Sequence, residues 1–209
     1  MNIQNFTPFE PTWHEVFEKQ RELKFLYEPE AKELFENFDI DCFEDQELFK
    51  KYCWRITEEL TEAIEAYCSD GRDHTEEELI DALNFTIELM LLYGWGPEIV
   101  IKNFSNIGTP YFGYDEFPGE VGETVYALGL AANCLKNRQW RRSHHLVDLF
   151  IFEKRLLSFL KSLYGLLQRR FRLQHTDDCL VHWREVDKDI RKAWSLKYQV
   201  NLFRIQTNY

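Results

Sequence analysis

Glu59-Leu-Thr-Glu62 and Glu78-Leu-Ile-Asp81 each place two carboxylates three residues apart, on either side of a short break containing Gly71. Residues at that spacing on an α-helix are surface neighbours, with Cβ atoms about 5–6 Å apart, so each pair shares one helical face. The apolar residues keep the same period. Ile56, Leu60, Ala63, Ile64 and Tyr67 form a stripe on the first helix, with Glu59 at its edge and Glu62 farther round. Leu79, Leu83, Ile87 and Met90 form another on the second, and seven-residue steps from Glu78 reach Phe85 and Leu92. Glu78 and Asp81 therefore head a face that turns apolar. Short turns and helical periodicity together favour an all-α, antiparallel helical bundle, whose core commonly takes metal-site residues from facing helices.

Four acids converging from two helices would repel one another, and some would hold their protons above the usual carboxylate range. A bound cation removes that penalty. Mg²⁺ prefers hard oxygen ligands in near-octahedral geometry, commonly one or two carboxylates completed by water and substrate phosphates. In so acidic a chain an ExxE pair also suits a solvated face, and Glu58 and Glu65 stand nearby as further candidate ligands. Glu78 has a rival role, since Thr75-x-x-Glu78 reads as a capping box at a helix start.

Along the chain, residues 12–27 read as a helix, a mixed acidic segment follows, and about 46–68 and 76–93 carry the acidic pairs. Six of the nine glycines and three of the six prolines then fall between Gly94 and Gly122, which marks a long irregular connection. Helical patterns resume at about 121–138, 145–172 and 180–204. Neither a strand-rich region nor a repeat appears. The whole chain is expected to form one domain, with residues of about 95–180 inserted as a mostly helical subdomain.

The 209 residues, 44% apolar and 16% aromatic, suffice for a substantial core. A net charge of −11 argues against a nucleic-acid polymer as the main ligand, because binding to a phosphate backbone depends on basic surface. Five irregularly spaced cysteines without a CxxC pattern fit reduced thiols in a cytoplasmic setting. The first residues lack a basic region followed by an apolar run, and no apolar stretch reaches ~18 residues, so neither secretion nor a membrane partner is expected.

ExxE followed by ELxD and an aromatic residue resembles the all-α nucleoside triphosphate pyrophosphatases, which include the MazG-like enzymes and the dimeric dUTPases. The tail sharpens the likeness: Lys197-x-x-x-Asn201-x-x-Arg204-x-x-x-x-Tyr209 is similar to the KxxxNxxRxxxxGY ending of the dimeric dUTPases and of related phage dCTP/dUTP pyrophosphatases, with one residue fewer between the arginine and the tyrosine. Gln20, in Phe17-Glu-Lys-Gln-Arg-Glu-Leu23, resembles the family's base-facing glutamine. The matching pieces cover roughly residues 13–27, 52–93 and 194–209. Two departures stand out. Asn208 replaces the usual glycine before the terminal tyrosine, and no basic Trp-Lys segment follows the first acidic helix. Lys136, Arg138 and Arg141 could supply the missing phosphate contacts, or could simply satisfy a helix C-terminus.

The resemblance implies Mg²⁺-dependent hydrolysis of a deoxynucleoside triphosphate to the monophosphate and pyrophosphate by a homodimer. It implies two or three Mg²⁺ ions, with Mn²⁺ a possible substitute, held by Glu59, Glu62, Glu78 and Asp81. Lys197, Asn201, Arg204 and Tyr209 would bind phosphates, and Asn84 would contact sugar or metal-coordinated water. The dUTPase-like tail favours dUTP, with dCTP, dTTP or a broader nucleotide range as alternatives. Other helical metal enzymes fit less well: ferritin-like sites need Glu-x-x-His, which none of the six histidines provides, and HD-type phosphohydrolases need a His-Asp dipeptide, which is absent. A non-enzymatic helical interaction protein is the competing class, and it leaves the tail spacing unexplained.

Overall fold

A computed structural model describes residues 9–69, 72–104, 117–135, 148–172 and 183–207. Among them are eight helices and no strand: α1 (Trp13–Tyr27), α2 (Ala31–Asn37), α3 (Phe43–Ser69), α4 (Arg72–Leu92), α5 (Pro97–Phe104), α6 (Phe117–Ala132), α7 (Leu149–Arg172) and α8 (Trp183–Thr207). The chain is an all-α bundle, as the periodicity requires.

Helix α1 starts where its sequence supplies a cap. The Thr12 hydroxyl accepts from the Glu15 backbone N–H at 3.3 Å, and the Glu15 carboxylate accepts from the Thr12 backbone N–H at 2.7 Å. This reciprocal pair satisfies two donors that a helix start leaves open. Trp13, Val16, Phe17, Gln20, Leu23 and Lys24 then line one buried face at helical spacing.

Helices α3 and α4 form the most extensive pair, and α6 also packs against α3. Helix α4 also meets α1, α2, α7 and α8. Leu79, Ile80, Ala82, Leu83, Ile87, Leu89, Met90, Leu91 and Leu92 are accordingly all buried, the pattern of a helix enclosed on nearly every side. It ends at Gly94, whose φ of +78° lies in the left-handed region. There the Trp95 N–H donates to Met90 O at 2.8 Å and the Gly94 N–H to Leu91 O at 3.1 Å, closing the last carbonyls in a Schellman arrangement.

Helices α6 and α7 pack as a pair, and α7 also borders α8. Phe152, Leu156, Phe159 and Leu163 of α7 join the same buried cluster as Phe49 and Ile56 of α3 and Trp194 of α8. The described part of the 95–180 segment therefore shares its core with the acid-bearing helices.

Three local expectations change. The proposed capping box at Thr75 is replaced by a longer helix, because α4 begins at Arg72 and leaves Thr75 fully buried inside it. His74, now on the first turn, reaches Glu77 at 3.7 Å and Glu78 at 3.3 Å, contacts that need helical backbone at His74. The supposedly irregular 94–122 stretch contains α5 and the start of α6. Pro97 opens α5, a position where its missing N–H costs nothing. The mixed acidic segment after α1 likewise contains α2, a helix of 7 residues with no side-chain cap.

Candidate metal centre

Glu59 projects from α3, and Glu78 and Asp81 project from α4. One carboxylate oxygen from each lies within 4.8 Å of the other two. The i, i+3 spacing puts Glu78 and Asp81 on one face, and the packing of α3 on α4 brings Glu59 to meet them. Only 11%, 12% and 19% of the side-chain surfaces of Glu59, Glu78 and Asp81 remain in solvent, so this is an enclosed acidic cluster rather than a hydrated face.

Glu62, the fourth expected ligand, is exposed one turn along α3 and stands outside this trio. Its charge still acts on Glu59. Glu58 turns away, accepting from the Trp54 indole at 2.8 Å and from Arg55 at 2.7 Å, and Glu65 is exposed.

The protonation states record the crowding. Burial, followed by the charges of Asp81, Glu62 and Glu78, pushes the Glu59 carboxyl up to about 7, against the opposing pull of Arg55. Burial and Asp81 raise Glu78, while His74 and Lys197 oppose the shift. Asp81 is raised mainly by burial, despite Lys197. Each shift means that ionisation here is disfavoured until positive charge arrives.

Part of that charge comes from α8. The Lys197 ammonium lies 2.6 Å from Asp81 Oδ2 and 2.9 Å from Glu77 Oε1. Burial alone would lower its proton affinity, but the two acids outweigh it and hold the amine charged. Asn84, one turn beyond Asp81, donates its amide to Asp81 Oδ1 at 3.3 Å. The Asn84 Oδ1 atom is buried without a hydrogen-bond partner among the described residues. A cavity of about 430 Å³ adjoins the ion pair between α4 and α8, lined by Ile80, Ala193, Leu196, Val200, Lys197 and Glu77.

The remaining sequence-derived candidates are distributed differently. Gln20 is buried, and its amide donates to Glu88 Oε1 at 2.9 Å. Glu88 stands two turns beyond Asp81, roughly 10 Å along α4 at 1.5 Å per residue, so Gln20 belongs to a separate polar cluster. There Glu88 pairs with Lys24 at 3.3 Å, and Lys24 lies over the Tyr52 ring. Asn201 is half-buried one turn beyond Lys197, its side-chain oxygen 3.5 Å from Arg204, which is exposed. Tyr209, Lys136, Arg138 and Arg141 lie outside the described residues.

Sequence reasoning overlooked Glu77, Arg55, Lys24 and Glu88 as parts of these clusters. Nothing local marks the Glu77–Lys197 pair, whose members are separated by 120 positions. Arg55 had a faint signal, its i, i+4 relation to Glu59, realised at 3.8 Å.

The donor set fits a hard divalent cation. All three ligand candidates are carboxylates, the choice suited to Mg²⁺ or Mn²⁺ rather than to metals that favour sulfur or imidazole. Their proton affinities are raised first by burial, and at Glu59 and Glu78 also by the neighbouring acids, so a bound cation would favour their ionised forms. Comparison with protein-family models, curated proteins and solved structures returns no match. Among the described residues, no helix is long and apolar enough to cross a membrane.

Proposed function

We propose that this protein hydrolyses a pyrimidine deoxynucleoside triphosphate, with dUTP favoured, to the monophosphate and pyrophosphate in a Mg²⁺-dependent reaction. The observation that carries this reading is the convergence of Glu59, Glu78 and Asp81, from two helices, within 4.8 Å of one another. The spacing of Lys197, Asn201 and Arg204 along α8, matching a triphosphate-binding tail, adds the substrate class.

Glu59, Glu78 and Asp81 would hold the cation, with Glu62 completing the acidic set on the solvent side. When bound, Mg²⁺ supplies neutralisation of phosphate charge and acidifies the water that attacks. Phosphoryl transfer needs little else beyond positioning. Lys197 offers a point charge and Arg204 a two-pronged donor for phosphate oxygens. Asn84 holds Asp81 in orientation through its amide, leaving its own oxygen free to accept a further donor. Water adds to phosphorus as the α–β phosphoanhydride bond breaks, and pyrophosphate leaves. Homodimerisation is part of the same proposal and rests on the resemblance.

A helical interaction module is the second reading, favoured by the exposure of Phe150, Tyr126 and Trp54. Pyrophosphate release from a panel of deoxynucleoside triphosphates separates the two. The enzyme reading expects Mg²⁺-dependent turnover, strongest with a pyrimidine nucleotide, that falls by orders of magnitude in Asp81→Asn while the helical circular dichroism persists. Near-normal turnover in that variant would overturn the ligand assignment.

A further inference from the structure

We propose that Lys197 is a tethered counter-cation for the acidic centre, occupying Asp81 when no metal is present and leaving it when a divalent cation binds. The inference rests on the metal-site reading above and adds a competition within it.

The geometry sets up that competition. The Lys197 ammonium sits 2.6 Å from Asp81 Oδ2, hydrogen-bonding distance, and Asp81 also belongs to the trio within 4.8 Å. A Mg²⁺–oxygen bond is about 2.0–2.1 Å long. A dication bound to the same carboxylate would stand within a few ångströms of the ammonium, in an enclosed site where like charges are weakly screened. The two cations therefore compete for Asp81.

Lysine is suited to give way. Its charge lies at the end of a flexible four-carbon stem. Space for the movement exists beside it, since Lys197 lines the cavity of about 430 Å³ between α4 and α8. Ile80, Ala193, Leu196 and Val200 can cover the stem there, and Glu77 provides a second anchor at 2.9 Å. Metal arrival thus exchanges an Asp81-bound amine for one available to an anion. Free metal is held back by its internal rival, whereas a metal–nucleotide complex satisfies both the acids and the released ammonium. Lys197 thereby couples metal binding to anion binding.

The test measures Mn²⁺ binding by electron paramagnetic resonance on the full chain without nucleotide. Lys197→Met should bind Mn²⁺ about tenfold or more tightly than the wild type, whereas Lys197→Arg, which retains the charge, should stay near the wild type. Wild-type binding accompanied by unchanged or weaker binding in Lys197→Met would overturn the competition and leave the metal site standing. If neither the wild type nor Lys197→Met binds Mn²⁺ differently from Asp81→Asn, the metal reading itself fails. Amine methylation of the wild-type protein, read by peptide mass spectrometry, needs no variant to fold. Lys197 should be labelled several-fold faster with saturating Mn²⁺ than with chelator, and equal rates would contradict its release.

Discussion

Glu59→Gln should stabilise the metal-free protein at alkaline pH and leave it almost unchanged in acid. In the folded chain the carboxyl titrates near 7, raised from its ordinary 4.5 by burial and by Asp81, Glu62 and Glu78. The folded state thus holds this proton more tightly than the unfolded chain does. Below pH 4.5 the group is neutral in both states and imposes no penalty. As pH rises from 4.5 through 7, its ionisation opposes folding progressively, and above 7 the penalty is complete. At about 1.4 kcal/mol for each tenfold change in proton affinity, full enclosure would make this about 3 kcal/mol. The Glu59 side chain keeps 11% of its surface in solvent, so partial screening lowers the expectation to about 1–2 kcal/mol. Urea unfolding with chelator at pH 4 and pH 8.5 measures it: the variant should gain that amount at the higher pH and little at the lower. Saturating Mg²⁺ should reverse the order, because binding to the native state at a hundred times the dissociation constant adds about 2.7 kcal/mol, and the variant has lost a ligand. Equal destabilisation of Glu59→Gln at both pH values would refute the claim that burial and the neighbouring acids penalise the ionised form of Glu59.

The second polar cluster gives a different outcome. Lys24→Met leaves Glu88 buried with its 3.3 Å cation partner removed and should cost about 3–5 kcal/mol by urea unfolding, whereas Lys24→Met combined with Glu88→Leu should recover much of that loss. Gly94→Ala isolates backbone strain, because an added Cβ would meet nothing within 4 Å while φ stays at +78°. A loss of about 1 kcal/mol in thermal or urea unfolding is expected, and no loss would mean that the turn relaxes freely.

The bundle class and the partnership of the acidic helices were legible because helical periodicity is a local property, written into Ile56, Leu60 and Ala63 and into Leu79, Leu83 and Ile87. Helix ends were less legible. Local turn chemistry competes with packing there, so α4 extends back to Arg72 through His74, and α5 begins at a proline that reads equally well as a loop marker. The short α2 lacks a cap signal altogether.

Within the candidate site, the amino-acid order alone determined that Glu78 and Asp81 share a face, since residues three apart on a helix can hardly do otherwise. It left Glu58, Glu59, Glu62 and Glu65 as competing donors from α3. The packing of α3 against α4 chose among them, turning Glu59 inward and leaving Glu62 in solvent. The arrival of α8 decided the rest by setting Lys197 on Asp81 and Glu77. Periodicity operates over a few residues and can be read from a string, but the balance of charge in an enclosed site depends on which distant side chains share it, and only the folded chain brings those together.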